Sequence, residues 1–171
     1  QGGLSNLAGG VIILILRPFS VGDYIIENAG NQEGTVVKID LFYTTLSTVD
    51  NRRITVPNGT LTNSSIVNVT ATGKRRLELS VGIGYKSDLK KAKEVLIRLG
   101  ENDPARDPEN PVNVFVSELA ESSVKLGLQV WVSSSEYWNA KWRLTENIKL
   151  TFDEEGIEIP FKQVEISVTK M

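Results

Sequence analysis

The sequence of 171 residues is long enough for one large domain or two small ones, and its 40% hydrophobic and 23% charged residues are the balance of a folded protein. Its 19 Lys and Arg against 21 Asp and Glu give a formal net charge of -2, which argues against a bulk electrostatic attraction to nucleic acid. Cysteine and histidine are absent, so disulfide bonds, thiol nucleophiles, Cys/His zinc sites and Ser-His-Asp triads are excluded.

The first zone, residues 1–16, carries no charge and ends in an apolar run from Val11 to Leu16. As a helix, Leu4 to Leu16 would be about 20 Å long, whereas the hydrocarbon core of a bilayer is roughly 30 Å thick. One interpretation is a buried strand or core helix, which is usual for an apolar run of this length. The many glycines and other small residues instead favour close helix contacts in a bilayer, and predict the end of a transmembrane helix whose first half is missing.

The second zone, residues 17–73, is rich in Val, Ile, Thr and aromatic residues. Pro18 disfavours helical geometry at Arg17, so the first helix is predicted to end there. Pro57-Asn58-Gly59 is interpreted as one of the turns that separate short strands. The predicted strands are 24–27, 34–39, 42–48, 53–57 and 66–69. Four or five short strands in about fifty residues indicate a small, partly open barrel of the SH3 or Sm kind.

The third zone begins with the basic run Lys74-Arg75-Arg76, interpreted as a solvated linker. Alternating apolar residues and helical spacing then predict, in order, a strand, a helix capped by Ser87, two strands and a second helix. Their predicted ranges are 77–83, 87–100, 112–119, 124–132 and 137–155. The order β-α-β-β-α predicts an α/β sandwich with both helices on one face of a sheet.

The last residues, 161–171, alternate between apolar and polar side chains and predict one more strand. A single strand leaves its backbone N–H and C=O groups unpaired, so it must join a sheet. Two partners stay open at this point: the sheet of its own domain, or a neighbouring chain.

Several motifs resemble the small-conductance mechanosensitive channel (MscS-like) family. Arg17-Pro-Phe-Ser-Val-Gly-Asp23 follows an apolar, glycine-rich helix, as in that family. The same order continues through Gly34-Thr-Val36, Asp50-Asn51-Arg52 and Val56-Pro-Asn-Gly59. The second half resembles the family more loosely, through Gly84 to Asp88 and Phe152 to Pro160.

The resemblance implies an α+β chain in four parts: 1–16, the lower half of a pore-lining helix; 17–73, an Sm-like β-domain; 74–160, an α/β domain; and 161–171, a strand of a parallel β-barrel between subunits. It also implies a homoheptamer in the bacterial inner membrane, with most of this chain on the cytoplasmic side. The implied function is an ion channel that membrane tension opens, so that ions and small osmolytes leave the cell on hypo-osmotic shock. The chain is then not an enzyme, and no cofactor, metal or nucleic-acid partner is expected.

The family's functional positions are expected at matching residues of this sequence. Gly2 and Gly10 resemble hinges of the pore helix, and Asn6 resembles the residue that couples this helix to the β-domain, near Ser64. The helix-to-domain junction is expected at Arg17, Pro18 and Phe19. The residues expected to form the axial barrel are Val164, Ile166 and Val168.

The main alternative is a ring-forming, Sm-like RNA-binding protein, because Sm-like barrels also assemble into rings. Such a protein needs a basic face that carries aromatic residues. Residues 17–73 hold four basic and five acidic residues, which gives this alternative little support. The sequence therefore favours the channel.

Overall fold

The computed structural model describes residues 2–166 of the chain. Within this range the chain is α+β, as predicted, and forms two compact units. The first unit ends at Gly73 and the second begins at Lys74. Each unit has its own antiparallel sheet and its own hydrophobic core.

The first unit consists of one long helix, a five-stranded sheet and a short helix. Its elements are α1 (Gly2–Leu16), β1 (Tyr24–Glu27), β2 (Gln32–Ile39), β3 (Tyr43–Ser47), β4 (Arg53–Pro57), α2 (Asn58–Asn63) and β5 (Ile66–Asn68). The sheet order is β4-β3-β2-β1-β5, so β4 and β5 are its edges. The described residues show an open sheet, with all neighbouring pairs antiparallel.

Alternating burial along the strands builds the core of this unit. Ile25, Val36 and Leu46 are almost completely buried and point to the same side. Val36 stands opposite Leu46 in the β2–β3 register, so their side chains are cross-strand neighbours. Ile13 of α1 belongs to the same core, which therefore includes the first helix as well as the sheet.

The predicted turn at Pro57-Asn58-Gly59 is wrong, because these residues begin α2. Pro57 is the N-cap, with extended backbone angles of φ -60° and ψ 133°, and Asn58 is the first helical residue. The sequence was misleading here because Asn-Gly is a common turn pair, whereas this pair is held in helical geometry by buried contacts described below.

The second unit has the predicted order β-α-β-β-α. Its elements are β6 (Lys74–Ile83), α3 (Leu89–Glu101), β7 (Asn113–Leu119), β8 (Val124–Ser133), a 3₁₀ turn (Ser134–Glu136) and α4 (Tyr137–Glu154). The sheet order is β6-β8-β7, with β8 in the centre. Both helices contact the sheet and each other, and Leu96 of α3 and Phe152 of α4 lie in one core with Leu128 of β8.

Two local predictions in this unit are corrected. Lys74-Arg75-Arg76 is the start of β6 and not a linker, since Lys74 pairs with Ser133 in the register and makes ion pairs with Asp107 and Glu109. Helix α3 is capped by Asp88 instead of Ser87. The Asp88 carboxylate accepts a 3.1 Å hydrogen bond from the backbone N–H of Lys91, as an N-cap residue does.

The C-terminal segment leaves the hydrophobic core of the second unit after Ile157. Ile157 is buried in the core, and the carbonyl of Glu158 accepts a 3.0 Å hydrogen bond from Gly84 N–H. Residues 161–166 have no strand assignment and pair with none of the described strands. Of the two partners that the sequence leaves open, the described part of this segment does not use its own domain's sheet.

Candidate functional site

Helix α1 touches the backbone of the β-domain (residues 17–73) through two buried glycines. A Cβ placed on Gly9 would lie 2.7 Å from the carbonyl carbon and oxygen of Asn58. A Cβ placed on Gly10 would lie 2.0 Å from the carbonyl oxygen of Leu41. Any side chain larger than hydrogen is therefore excluded at this contact. We call the surface formed by Leu41, Asn58 and Gly59 the helix seat.

Asn58 holds the helix seat together from inside. Its side chain is fully buried: Oδ1 accepts a 2.8 Å hydrogen bond from the Thr44 hydroxyl, and Nδ2 donates a 2.7 Å bond to the carbonyl of Asp40. Its backbone N–H donates to the carbonyl of Phe42 at 2.9 Å. These bonds join the β2–β3 connection to the start of α2, so both halves of the seat are fixed relative to each other.

Asn6 forms the polar link between α1 and the seat. Its side-chain Oδ1 accepts a 3.0 Å hydrogen bond from the backbone N–H of Gly59. Gly59 lies at the N-terminus of α2, where the first N–H groups have no partner within the helix. The coupling was expected near Ser64, whose own hydroxyl donates to the carbonyl of Thr60 at 2.8 Å. The direct partner of Asn6 is thus Gly59, at the other end of the short helix that precedes Ser64.

Asn6 and Ser64 do lie near each other, because both line one shallow cavity of about 390 Å³. Gly2 and Ser5 of α1 line it as well, together with Ala29 from the β1–β2 turn. A Cβ on Gly2 would meet nothing within 4 Å. Gly2 is therefore free of packing constraints among the described residues, in contrast with Gly10.

The junction after α1 is a sharp corner. Arg17 closes the helix, since its N–H donates a 2.9 Å hydrogen bond to the carbonyl of Ile13 and its φ of 48° is left-handed. The left-handed geometry agrees with the prediction that Pro18 would force Arg17 out of the α region. Phe19 then enters the core with only 2% of its surface exposed. Ile13 and Phe19 therefore anchor the two sides of the corner in the same core.

Asp23 fixes the loop that follows this corner. Its carboxylate accepts hydrogen bonds from Ser20 N–H at 2.8 Å, from the Thr70 hydroxyl at 2.8 Å and from Asn68 Nδ2 at 3.1 Å. The backbone hydrogen bond from Ser20 is the main reason that the pKa of Asp23 lies below its ordinary value of 3.8; burial opposes it, and the bonds from Thr70 and Asn68 add to it. The loop is thereby tied to the end of β5.

The remaining surface of α1 is apolar and exposed. Leu4, Ile15 and Leu16 are 75%, 71% and 73% exposed, and Val11, Ile12 and Leu14 are each more than 40% exposed. The helix buries Gly9, Gly10 and Ile13 on the seat side only. None of the described helices combines the length and the hydrophobicity needed to cross a bilayer. An uncharged helix with this much exposed apolar surface marks an interaction surface.

The residues expected in an axial barrel are described only in part. Val164 and Ile166 are 76% and 80% exposed, and Val168 lies outside the described residues. One hydrogen bond, from Gln163 N–H to the Ser122 hydroxyl at 3.1 Å, holds this segment to the second unit.

Sequence reasoning missed Gly9, Asn58 and Gly59 as site residues. Gly59 and Asn58 belong to the motif Val56-Pro-Asn-Gly59, which was used only to identify the resemblance. Gly9 stands beside Gly10 as a glycine doublet within a helix, and such a doublet is the available signal for a close backbone contact.

Two family models match the chain. The model described as "Mechanosensitive ion channel, beta-domain" matches residues 3–71, and the model described as "Mechanosensitive ion channel MscS, C-terminal" matches residues 77–159. Together they cover most of both units. The alternative of an RNA-binding ring gains no support from either match.

Similar proteins point to the same family. The small-conductance mechanosensitive channel of Edwardsiella ictaluri is 36% identical over 97% of this chain and 57% of its own length. The crystal structure of Helicobacter pylori MscS in the closed state superimposes with a TM-score of 0.88 at 32% identity, covering 98% of this chain and 66% of that one. Arabidopsis thaliana MSL1 has a TM-score of 0.76 at 20% identity, which shows a common fold.

The chain spans about 57–60% of the length of several curated relatives that it matches. The matched part includes the helix seat and both units, and the family is one of ion channels instead of enzymes. The chain therefore belongs to the MscS family of mechanosensitive channels, and its two units are the β-domain and the C-terminal domain of that family.

Proposed function

We propose that this chain supplies the lower pore helix and the cytoplasmic part of a channel subunit that membrane tension opens. The open channel would release ions and small osmolytes during hypo-osmotic shock. The observation that carries this proposal is the arrangement of α1, an uncharged helix seated on the β-domain by Gly9 and Gly10 with its apolar residues left exposed. Such a helix can transmit movement between a membrane-side element and a rigid domain.

Tension does work in proportion to the area that a protein gains in the membrane plane, so it favours an expanded conformation. Helix α1 is continuous from Gly2 to Leu16; the seat holds it at Gly9 and Gly10, and Ile13 lies in the hydrophobic core. We therefore place the freer hinge at Gly2, where an added Cβ would meet no atom of the described residues within 4 Å. A bend at Gly10 would require α1 to leave Leu41, so that hinge is coupled to release from the seat.

The Asn6–Gly59 hydrogen bond is the proposed coupling between the helix and the β-domain. This hydrogen bond lies about one helical turn from Gly2, on the part of α1 that precedes the buried glycines. Breaking it would free the first turns of α1 while Ile13 stays in the core. The N-terminal turns of α1, which contain Gly2 and Asn6, could then move before the turns that contain Gly9, Gly10 and Ile13.

For the assembly, we propose a homoheptamer in the bacterial inner membrane, with most of this chain on the cytoplasmic side. The exposed apolar residues of α1 would face lipid or equivalent helices. The exposed Val164 and Ile166, with Val168, would complete a parallel barrel on the symmetry axis. A closed barrel pairs every strand edge, which a single copy of this segment does not do.

The test is to express the full-length protein in bacteria that lack mechanosensitive channels. We expect survival of osmotic downshock and tension-activated currents in excised patches. Native mass spectrometry of the same protein should give seven copies. A full-length protein that reaches the membrane but gives neither survival nor current would contradict the channel proposal, and RNA retained in a salt-dependent way would favour the alternative.

A further inference from the structure

Glu27 is a fully buried acid at the end of β1. Its two carboxylate oxygens each accept one backbone hydrogen bond, Oε1 from Ala29 N–H and Oε2 from Gly30 N–H, both at 2.7 Å. Burial raises the pKa of this carboxyl, but the hydrogen bonds that it accepts, chiefly the one from Gly30 N–H, outweigh burial and leave the pKa below the ordinary value of 4.5. The side chain is therefore an ionised acceptor inside the first unit.

The turn that Glu27 holds is also tied to the residues after α2. Asn28 N–H donates to the carbonyl of Ser65 at 3.3 Å, and Asn28 Nδ2 donates to the Ser65 hydroxyl at 2.8 Å. Ala29 and Ser64 both line the cavity that Ser5 of α1 also lines. Glu27 thus lies behind the part of the cavity wall that does not belong to α1.

We propose that Glu27 is a positioning residue. Its buried carboxylate fixes the β1–β2 turn, and the Asn28–Ser65 hydrogen bonds tie that turn to the residues after α2, so that together they form the wall that faces the first turns of α1. The proposal rests on the coupling function proposed above and deepens it. In the absence of this carboxylate, the wall would shift relative to Ser5 and Asn6, even though Asn6 keeps its own hydrogen bond to Gly59.

The geometry requires an acid of this length. A Gln side chain offers one oxygen and one NH₂ group, so one of the two backbone donors would face another donor. An Asp side chain keeps both acceptors but is one methylene shorter, so it restores the contacts only in part. A Cβ on Gly30 would lie 3.0 Å from Glu27 Oε2, so Gly30→Ala displaces the same contact without removing the acid.

The experiment measures, in the full-length protein, how readily the β1–β2 turn can be cross-linked to α1. Cysteines introduced at Ser5 and Ala29 are joined by a short bismaleimide, and the cross-linking rate is compared among Glu27→Gln, Glu27→Asp and the parent. We expect Glu27→Gln to change the rate by about threefold or more, because it removes one of two hydrogen bonds to a charged group, and Glu27→Asp to change it less. Patch recordings of the same variants without the cysteines should show a matching change in closing rate.

Asp103→Asn is the matched control, since Asp103 is a buried acid in the second unit. It should destabilise the protein without changing the cross-linking rate. An unchanged rate in Glu27→Gln, or an equal change in Asp103→Asn, overturns the proposal. If Glu27→Gln does not fold, Gly30→Ala takes its place with the same expectation, and an unchanged rate there overturns it too. The cross-linking rate can be measured in a protein that conducts no current. A parent protein without tension-activated current would therefore contradict the proposed function, while the cross-linking rates would still test the role of Glu27.

Discussion

Gly10 of helix α1 and Leu41 of the β2–β3 connection are in direct backbone contact, because a Cβ on Gly10 would lie only 2.0 Å from the Leu41 carbonyl oxygen. The same Cβ would lie 2.8 Å from Nδ2 of Asn58, which is itself bonded to the carbonyl of Asp40. The glycine is thus needed for contact in the described conformation, in addition to any flexibility it gives the helix. The proposed hinge and the observed contact site therefore coincide at Gly10.

Gly10→Ala should displace α1 from the helix seat. The added methyl group meets the Leu41 carbonyl oxygen, and the residues on either side of Leu41, Asp40 and Phe42, are hydrogen-bonded to Asn58. The backbone at Leu41 therefore cannot move away easily, and we expect a destabilisation of about 1–3 kcal/mol. In the full-length channel this should alter the closing or inactivation kinetics, measured in excised patches under constant tension.

Gly3→Ala is the control for helix propensity. A Cβ on Gly3 meets nothing within 4 Å, so this change stiffens α1 without touching the seat. Kinetics that change equally in the Gly3 and Gly10 variants would mean that helix stiffness matters and the Leu41 contact does not.

Asn6→Ala should weaken the link between α1 and α2. It removes the acceptor for the Gly59 N–H, and the loss of one such hydrogen bond is worth about 1 kcal/mol, or roughly fivefold in an equilibrium between seated and released helix. The expected result is a change of that size in the rate of inactivation. Asn63→Ala, in the same cavity, is the control; equal effects from both variants would contradict a specific role for the Asn6–Gly59 bond.

Much of the fold could be predicted from local patterns. The order β-α-β-β-α in the second unit followed from alternation in strands such as Leu77 to Ile83 and from helical spacing in residues such as Leu96 and Phe152. Each of these signals lies within one element, so it needs no knowledge of distant contacts. The start of α2 was not predicted, because the turn preference of Asn58-Gly59 is overridden by two hydrogen bonds to residues distant in sequence. Asn58 accepts one from the Thr44 hydroxyl and donates the other to the Asp40 carbonyl.

The candidate site was less accessible to sequence reasoning. The resemblance pointed to Asn6 and Gly10, and both lie on the seat side of α1. The partner of Asn6 could not be derived, because it depends on where the N-terminus of α2 lies, and α2 itself was not predicted. Gly59 became visible as the partner only when α1 and α2 were placed side by side.

The stability of the first unit should depend on pH through Asp23. Its pKa is lowered in the folded state, chiefly by the Ser20 N–H, so folding favours the ionised form. The contribution is present above the ordinary value of 3.8 and is lost as the pH falls through the lower folded value. Between neutral pH and about pH 3, the melting temperature should fall less in Asp23→Asn than in the parent protein. An identical pH dependence of the melting temperature in the two proteins would contradict the role of Asp23.

The stability of the second unit should depend strongly on one ion pair whose acid, Asp103, is buried. Arg143 of α4 donates two hydrogen bonds to Asp103, from Nε at 2.8 Å and from Nη2 at 2.7 Å, and this contact raises the pKa of Arg143. Arg143→Ala leaves the buried Asp103 carboxylate without its charged partner and with the Ala105 N–H as its remaining described donor, so we expect a loss of about 3 kcal/mol in unfolding free energy. Lys149→Ala breaks an exposed pair with Asp153 on the same helix and should cost about 0–1 kcal/mol. Denaturant unfolding gives the unfolding free energy of both variants. Similar losses in Arg143→Ala and Lys149→Ala would contradict the importance of burial at Asp103.

Deleting residues 161–171 should weaken the oligomer more than it weakens the subunit. Phe161, Val164 and Ile166 are 89%, 76% and 80% exposed, so removing them opens no cavity in the second unit. Covering each such side chain in an assembly is worth about 1.5–3 kcal/mol, and every subunit contributes its own set. The deletion variant should dissociate at a lower temperature in detergent, followed by native mass spectrometry. Gln163→Ala with Glu165→Ala changes polar side chains of the same segment and should leave the oligomer intact. If the dissociation temperature stays the same after the deletion, the axial barrel is contradicted, because residues 161–171 would then make no stabilising contact between subunits.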